Sequence, residues 1–319
     1  MTALSGEPVV IGIDIGGSSI KGILAGRDGD PRARHDRPTP VADGVDAVVD
    51  AVVETALRLL GAAEGARPVG VGLVMPGVVD RAEGVARYAA NIGWRNLPIR
   101  RLVAERLRLP VTIEHDVRAA ALAEVSAGAA RELREVLFVS IGTGLAGALI
   151  CGGSVVDGAV GLAGEIGHVP VFPEGDSCAC GQRGCAETYA SAASVSRRYA
   201  ARNGGVLVPA EVVMTRAAAG DSVARSVLDD AVTALTRMVL GAVLLADPEL
   251  IVLGGGMAAA GDALIRPFSN ALQAALLWRA APAVTVAHFG GDAGARGAAL
   301  VAWAGAGRSE PGGRQRPTN

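Results

Sequence analysis

The stretch VVIGIDIGGSSIKGILAG at residues 9–26 decides the fold, because it joins two apolar runs through a short glycine turn. Such a pattern predicts two β-strands that form a tight hairpin. The pattern returns in the second half of the chain as VLFVSIGTGLAGALICGG at residues 136–153. An internal duplication of this kind predicts an α/β protein with two similarly built domains that face a cleft.

Further apolar runs complete this α/β pattern. Strands are predicted at residues 69–77, 111–116 and 249–256, and helices at residues 43–60, 97–107, 116–128, 221–246 and 292–303. We expect Asp43 to cap the first helix. A boundary near residue 110 gives a small lobe at 1–110 and a large lobe at 111–291. The C-terminal helix, about 292–304, is expected to pack back on the small lobe, and the tail at 305–319 to be disordered.

Composition and charge exclude several classes of protein. Half of the 319 residues are apolar and the formal net charge is −2, which predicts no basic surface for nucleic acid and no polybasic membrane patch. The N-terminus lacks the pattern of a signal peptide, and the longest apolar stretch, MVLGAVLLA at residues 238–246, is too short to span a bilayer. We therefore expect a cytoplasmic protein in a reducing compartment, without structural disulfides.

Three glycine-rich loops follow predicted strands. GTGLAG at residues 142–147 matches the dinucleotide fingerprint, but a strand follows it where the fingerprint requires a helix. For that loop alone, a tight turn that binds no ligand stays open. Taken together, the loops expose backbone N–H groups that can approach the phosphates and adenosine of a nucleotide such as ATP. The candidate nucleotide-binding residues are Gly16, Gly17, Ser18, Ser19, Lys21, Gly142, Thr143, Gly144, Gly254, Gly255 and Gly256.

Two aspartates stand at the ends of predicted strands, where α/β folds place functional groups. Asp14, on the first glycine loop, could orient Mg²⁺ through water or could cap the turn. Asp116 lies where a strand runs into a helix, and an N-cap is its structural alternative. Functional and structural roles therefore both stay open for these two side chains.

The segment HVPVFPEGDSCACGQRGCAE at residues 168–187 holds three of the four cysteines. Three sulfurs and one nitrogen satisfy a closed tetrahedral zinc site, and the candidate ligands are His168, Cys178, Cys180 and Cys185. Such a zinc would be structural, and a redox pair or free thiols are the alternatives. Glu165 and Glu187 lie on either side of the cluster, so we do not expect both to be surface charges without a function. Cys151 lies in an apolar run and is expected to be an inert core thiol.

The chain resembles ROK-family sugar kinases (repressor, open reading frame, kinase) of the bacterial glucokinase type. The matching segments run through nearly the whole chain in order: DIGGSSIKG, MPGVVD, NIGW, EHDVRAAALAE, SIGTGLAGALI, GLAGEIGH, CACGQRGCAE and DPELIVLGGGMAAAGD. The resemblance implies an actin/hexokinase-like ATPase fold with two α/β lobes that close over a sugar and ATP in a central cleft. It also implies a structural zinc and assembly into a homodimer or homotetramer.

Residue roles follow from the same resemblance. Asp116 matches the family's catalytic base, which would accept the proton of the sugar's primary hydroxyl. The cysteine cluster matches the family's zinc site, with His168 touching both metal and sugar. The positions that contact the sugar in related glucokinases are Gly77, Asn91, Glu165, His168 and Glu187. Phosphoryl transfer depends mainly on alignment and charge neutralisation, which suits a carboxylate base together with glycine loops and Mg²⁺.

Two departures from the family pattern bear on the substrate. The family usually has asparagine where this chain has His115 and Arg118, and the first asparagine contacts sugar hydroxyls. We count His115 as a substrate-binding residue, but its size and shape leave another hexose, an N-acetylhexosamine or a sugar-like cyclitol open. Arg118 is expected to be a solvated helix residue. A non-catalytic sugar sensor is the alternative from another class, whereas a repressor is not expected, because only eight residues precede the first predicted strand.

Overall fold

The computed structural model describes residues 6–307, which divide into two compact units. Within these residues, the first unit comprises 6–123 and 292–307, and the second comprises 124–291. The boundary expected near residue 110 falls inside the first unit, because strand Val111–His115 pairs with strand Arg67–Met75 of that unit. The helix near the C-terminus also belongs to the first unit.

The elements alternate between strand and helix along much of the chain. The strands are β1 (Pro8–Ile15), β2 (Ser19–Ala25), β3 (Pro31–Pro38), β4 (Arg67–Met75), β5 (Val78–Asp80), β6 (Val85–Ala89), β7 (Trp94–Leu97), β8 (Val111–His115), β9 (Val136–Ile141), β10 (Leu145–Cys151), β11 (Ser154–Val155), β12 (Leu250–Gly254) and β13 (Ala283–Val286). The α-helices are α1 (Val45–Gly61), α2 (Ile99–Leu107), α3 (Asp116–Ala127), α4 (Glu187–Ala190), α5 (Ala192–Arg202), α6 (Ala210–Ala218), α7 (Ser222–Ala246), α8 (Asp262–Ala275) and α9 (Ala293–Ala306). Short 3₁₀ helices occupy Val41–Asp43, Ile166–His168, Gly256–Ala260 and Gly290–Asp292.

Each unit has a five-stranded sheet, and the two sheets have the same strand order. The order is β3-β2-β1-β4-β8 in the first unit and β11-β10-β9-β12-β13 in the second. In both sheets the first three strands in sequence pair antiparallel, and the remaining two run parallel to the first. The duplication predicted from the two glycine hairpins is confirmed, and it extends to a whole sheet. The first unit also contains a small antiparallel sheet, β5-β6-β7.

Helices cover both faces of the first sheet. On one face, Ile11 and Ile13 of β1 pack in a cluster with α1 and α2. On the other face, Val10 packs against α9, because successive side chains of a strand point to opposite faces. The contact with α9 is close, since a Cβ added at Gly72 of β4 would lie 1.9 Å from the carbonyl oxygen of Ala298. Glycine at this position therefore lets the helix lie directly on the sheet.

The core of the second unit forms around α7, which confirms the long helix predicted there. Val227 and Leu235 of this helix pack with Val139 of β9 and Ile251 of β12. The side chain of Asp221 caps the helix by accepting two backbone N–H groups of the first turn, at 2.9 and 3.0 Å. Within residues 6–307, no helix combines the length and the apolar character needed to cross a membrane.

Several local expectations differ from the structure. Asp43 ends a 3₁₀ helix and does not cap α1, which follows Gly44. The helix expected from residue 97 begins at Ile99, because Leu97 ends strand β7. Helix α9 continues to Ala306, so the first residues of the tail expected to be disordered are helical. The rest of that tail, residues 308–319, lies outside the described residues.

Candidate active site and metal-binding loop

Asp116 is the first residue of α3 and directly follows β8. Its carboxylate oxygen Oδ1 accepts the backbone N–H of Val117 at 2.7 Å, so the side chain also satisfies a donor at the start of the helix. About a third of the side chain stays exposed (30%), which leaves the carboxylate accessible to a ligand. The Nδ1 atom of His115 lies 3.3 Å from Oδ1. His115 itself is only 7% exposed and is therefore more deeply buried than Asp116.

Asp14 lies near the end of β1, opposite Lys21 of β2 in the strand register. Burial, and to a lesser extent the negative charge of Asp116, raise the pKa of this carboxyl to about 7, against the opposing effect of Lys21. A Cβ added at Gly294 would lie 2.3 Å from Oδ2 of Asp14, so this glycine makes room for the carboxylate at the start of α9. The first unit therefore brings two carboxylates close enough for their charges to interact.

The first glycine loop turns between β1 and β2. The N–H of Gly16 donates to the carbonyl of Ser19 at 2.9 Å, and the hydroxyl of Thr39 donates to the carbonyl of Gly16 at 2.6 Å. A Cβ added at Gly17 would lie 3.2 Å from Nδ2 of Asn91, so the predicted sugar-contacting Asn91 lies beside the predicted phosphate loop. Ser18 and Ser19 complete the turn, with Ser19 as the first residue of β2.

Gly77 connects β4 to β5 with a left-handed backbone. Its φ is +89°, and an added Cβ would lie 2.1 Å from the carbonyl oxygen of Tyr88. Glycine is the residue that accepts both this φ and this close approach. Gly77, predicted to contact the sugar, is thus held against the small β5-β6-β7 sheet.

Arg118 is buried, which corrects the expectation of a solvated helix residue. It is 1% exposed, and its Nε donates to Oε1 of Glu114 at 2.9 Å. The reason is that Glu114, four residues earlier in β8, is itself buried and accepts this hydrogen bond. Sequence reasoning gave no role to Glu114, although an acidic and a basic residue four positions apart is a recognisable pairing signal.

In the second unit, the loop at Gly142, Thr143 and Gly144 turns between β9 and β10. Oε2 of Glu187 accepts the backbone N–H of Leu145 at 2.8 Å, and a Cβ added at Gly144 would lie 2.8 Å from that oxygen. Thr143 and Glu187 line a pocket that also includes hydroxyl groups and a guanidinium: Ser177, Thr188, Ser191, Ser194 and Arg197. This glycine loop and Glu187 therefore belong to one polar site.

The third glycine loop follows β12 and lies against the end of β9. Gly255 has a φ of +82°, and a Cβ added there would lie 2.5 Å from the backbone of Ile141, the residue before Gly142. Gly254 ends β12, and Gly256 begins a 3₁₀ helix. The structure thus brings the second and third predicted nucleotide-binding loops side by side in the second unit.

The four predicted metal ligands converge. Their ligand atoms all lie within 4.8 Å of one another, and the residues are His168, Cys178, Cys180 and Cys185. The Sγ atoms of Cys180 and Cys185 are 3.6 Å apart, as are Sγ of Cys178 and Nδ1 of His168. A tetrahedral zinc with bonds of about 2.3 Å requires ligand separations of about 3.8 Å, so the donor set and its spacing fit such an ion.

The three thiols lie so close together that a bound cation would favour their ionised form. Burial, followed by contacts with the other two sulfurs, raises the pKa of Cys185 to about 12. A hydrogen bond from the backbone at Gln182 lowers the pKa of Cys180. A bound cation stabilises thiolates that burial and mutual repulsion otherwise disfavour.

Cys151 is exposed at the end of β10, which corrects the expectation of a core thiol; its strand ends at the surface of the sheet.

His168 connects this cluster to Glu165. Its Nδ1 faces Cys178, whereas its Nε2 lies 4.0 Å from Oε2 of Glu165. Both side chains remain about one third exposed, at 32% and 37%. The imidazole can therefore contribute one nitrogen to a metal and leave the other, beside the carboxylate, for a ligand.

Comparison with known proteins matches residues 10–304 to the sequence pattern described as the ROK family. The chain is 33% identical over 308 residues to a glucokinase of Halalkalibacterium halodurans, which covers 90% of this chain and 92% of that protein. It is 30% identical over 296 residues to an N-acetylmannosamine kinase of Shigella boydii, which covers 92% and 97%. A solved ROK family glucokinase from Streptomyces griseus, in complex with glucose and AMPPNP, has a TM-score of 0.82 and 31% identity, over 93% of this chain and 100% of that one.

Proposed function

The chain belongs to the ROK family and is an ATP-dependent sugar kinase, and we propose that it transfers the γ-phosphoryl group of ATP to the primary hydroxyl of a hexose such as glucose. The observation that carries the proposal is the accessible carboxylate of Asp116 at the strand-to-helix junction, beside the enclosed carboxylate of Asp14. The hexokinase-like α/β fold expected from the resemblance agrees with the similar solved structures.

Asp116 acts as the general base in this proposal. It accepts the hydroxyl proton as the sugar oxygen bonds to the γ-phosphorus, and the bond from that phosphorus to the β–γ bridging oxygen breaks to release ADP. Because the transition state is loose, alignment and charge neutralisation matter more than the strength of the base. A positioned carboxylate contributes roughly 10²–10⁴-fold.

The glycine loops would hold the phosphates through backbone N–H groups, with Ser18, Ser19, Thr143 and Lys21 nearby. Asp14 offers carboxylate oxygens, the ligands that Mg²⁺ prefers, and would orient the ion through water. When bound, Mg²⁺ neutralises charge on the phosphate oxygens. Burial raises the pKa of Asp14, and a nearby cation would favour its ionised form, so the site fits the ion.

The cysteine loop would hold a structural zinc through His168 and its three thiolates. All four ligands come from the protein, so no position stays open for chemistry on the metal. The ion would fix a loop that is rich in glycine and would hold His168 and Glu187 at defined positions for the sugar.

From the family resemblance, the proposed sugar-binding residues are Gly77, Asn91 and His115 in the first unit and Glu165, His168 and Glu187 in the second. An N-acetylhexosamine is the second candidate substrate, because a relative of 30% identity is an N-acetylmannosamine kinase. Another hexose or a cyclitol, a non-catalytic sensor role, assembly into a homodimer or homotetramer, and a cytoplasmic location stay predictions.

The deciding experiment is ADP release by the purified protein with ATP, Mg²⁺ and a panel of hexoses, N-acetylhexosamines and cyclitols. We expect glucose to give the highest kcat/KM. Absence of stimulation by every member of the panel would contradict the kinase and favour the sensor.

A matched variant tests the base. Asp116→Asn keeps the size of the side chain but cannot accept the proton, so turnover should fall by roughly 10²-fold or more. Glucose binding measured by calorimetry should remain. Near-normal turnover of this variant would remove Asp116 from the proposed role.

A further inference from the structure

Two arginines contact one buried glutamate, Glu114, which lies two residues before Asp116; Arg118 is buried with it, whereas the Arg81 side chain is 39% exposed. Glu114, the residue before His115 in β8, is 2% exposed. Its Oε1 accepts the backbone N–H of His115 at 2.7 Å and Nε of Arg118 at 2.9 Å. Its Oε2 lies 3.0 Å from Nε of Arg81. One carboxylate therefore connects β8, α3 and the turn between β5 and β6.

Arg118 occupies a position that local chemistry disfavours. It is the third residue of α3, and a cation near the N-terminus of a helix opposes the helix dipole. It is also 1% exposed, and burial of a guanidinium carries a large desolvation cost. The ion pair with Glu114 offsets these costs. Because Arg118 is unfavourable for the helix itself, its presence is better explained by the contact it makes with Glu114.

Glu114 controls the backbone immediately before the base. Strand β8 is at the edge of its sheet, so alternate N–H groups of the strand face no neighbouring strand. The N–H of His115 finds its acceptor in the Glu114 carboxylate. Arg118 holds that same oxygen from the other side of the junction. The hydrogen bond and the ion pair together fix the turn from β8 into α3, on which the direction of the Asp116 side chain depends.

Arg81 connects this junction to the segment that follows Gly77, a proposed sugar-binding residue. It follows β5, which begins directly after Gly77. The turn that holds Arg81 is itself fixed, because Nη1 of Arg100 donates to the carbonyl oxygen of Arg81 at 3.2 Å. Two guanidinium groups therefore share the Glu114 carboxylate.

We propose that Arg118 is a positioning residue for phosphoryl transfer, acting through Glu114 to hold Asp116 in line with the sugar hydroxyl, while Arg81 ties the same carboxylate to the segment of Gly77. The proposal rests on the role of Asp116 given above. It assigns a function to Arg118, a position where this chain departs from the pattern of its family, and makes the departure part of the catalytic apparatus.

The two arginines should affect different kinetic constants. Loss of Arg118 frees the junction that carries the base, and misplacement of a reacting group by about 1 Å can cost on the order of 10²-fold in rate. We therefore expect Arg118→Met to lower kcat by roughly 10-fold or more, with the calorimetric Kd for glucose within about 3-fold of the wild type. Arg81→Met should mainly raise the KM for the sugar, because it loosens the segment after Gly77.

The double variant Glu114→Gln/Arg118→Met separates positioning from stability. It removes both buried charges together, which typically restores stability lost when one partner is removed. We expect its Tm to return close to the wild-type value while its kcat stays low. Arg101→Met is the matched control, since it breaks an exposed ion pair with Glu105 on α2 and should leave Tm and kcat unchanged.

A double variant that regains both Tm and kcat would overturn the proposal, because the network would then serve stability alone. The same conclusion would follow if Arg118→Met kept kcat within about 2-fold of the wild type. Failure of the proposed function has a separate signature, namely a wild-type protein inactive on the sugar panel or an Asp116→Asn variant with normal turnover.

Discussion

Asp14 combines a proposed functional role with a cost in stability. Its pKa is raised from an ordinary value of 3.8 to about 7, first by burial and then by the charge of Asp116. Between these two pH values the folded protein binds a proton that the unfolded chain does not. Stability therefore falls as the pH rises through this window, and above about pH 7 the full penalty of the ionised carboxylate is present.

Replacement of Asp14 by asparagine should remove this penalty. We expect Asp14→Asn to raise the free energy of unfolding by about 1–3 kcal/mol at pH 8, with a gain that shrinks as the pH falls towards 4. Denaturant unfolding of both proteins at pH 5 and pH 8 measures the difference. The exposed Asp43→Asn is the control, and equal stability of wild type and Asp14→Asn at pH 8 would contradict the argument. Kinase activity should fall, as expected where function opposes stability.

At the residue scale, the sequence identifies single groups better than their partners. Asp14 and Asp116 are predictable because each lies at or next to the end of a strand, and that position can be recognised along the sequence. The burial of Arg118 is not, because it depends on the burial of its partner Glu114 in the fold. Glu114 also contacts Arg81, which lies 37 positions before Arg118 and next to a three-stranded sheet that shows little sequence pattern. The exposure of Cys151 likewise follows from the short edge strand β11 and not from its apolar neighbours.

At the element scale, the packing of α9 on β4 depends on glycine. In Gly72→Ala the new Cβ would lie 1.9 Å from the carbonyl oxygen of Ala298, so the helix must shift. We expect a loss of about 1–3 kcal/mol in the free energy of unfolding. Gly241→Ala in α7 is the matched control, because its Cβ meets no atom within 4 Å and it should stabilise the protein by up to about 1 kcal/mol. Equal effects of the two changes would contradict the assigned contact.

The cysteine loop gives a second prediction at this scale. Cys180→Ala should remove one ligand of the proposed zinc, lower the metal content below about one ion per chain, raise the sugar KM and lower Tm by roughly 5 °C or more. Atomic absorption, kinetics and thermal unfolding measure these effects. The exposed Cys151→Ala is the control and should change none of them. Full activity of a verified zinc-free wild-type sample would contradict the structural role.

Predictability also differs among elements. The two glycine hairpins and strands β4, β8 and β12 were predicted because continuous apolar runs mark buried strands. The β5-β6-β7 sheet was not, since its strands have three to five residues and β6 buries only two of its five. Helices α4 and α5 are not predicted, because they follow a cysteine loop in which no regular spacing of apolar residues marks where a helix begins.

At the scale of the whole molecule, the first unit is discontinuous in sequence. Helix α9 returns from the end of the described chain to cover one face of the first sheet, where Val10 and Ile23 meet Ala295 and Ala299. A protein that ends at Gly291 should therefore expose this apolar face. We expect hydrogen exchange to show weakened protection in β1 and β4, while β9 and β12 of the second unit keep theirs. Addition of a peptide of residues 292–307 should restore part of the protection; unchanged β1 and β4 would contradict the prediction.

The position of α9 also sets an order of events during synthesis. Ribosomes add roughly 5–20 residues per second, so a strand near residue 10 waits on the order of 10–60 s before a helix near residue 300 is made. Throughout that interval the nascent sheet has its α1 and α2 side available and its α9 side bare. The second unit, which is continuous in sequence, can finish first. The unit whose strands are translated first is thus the unit whose core is completed last.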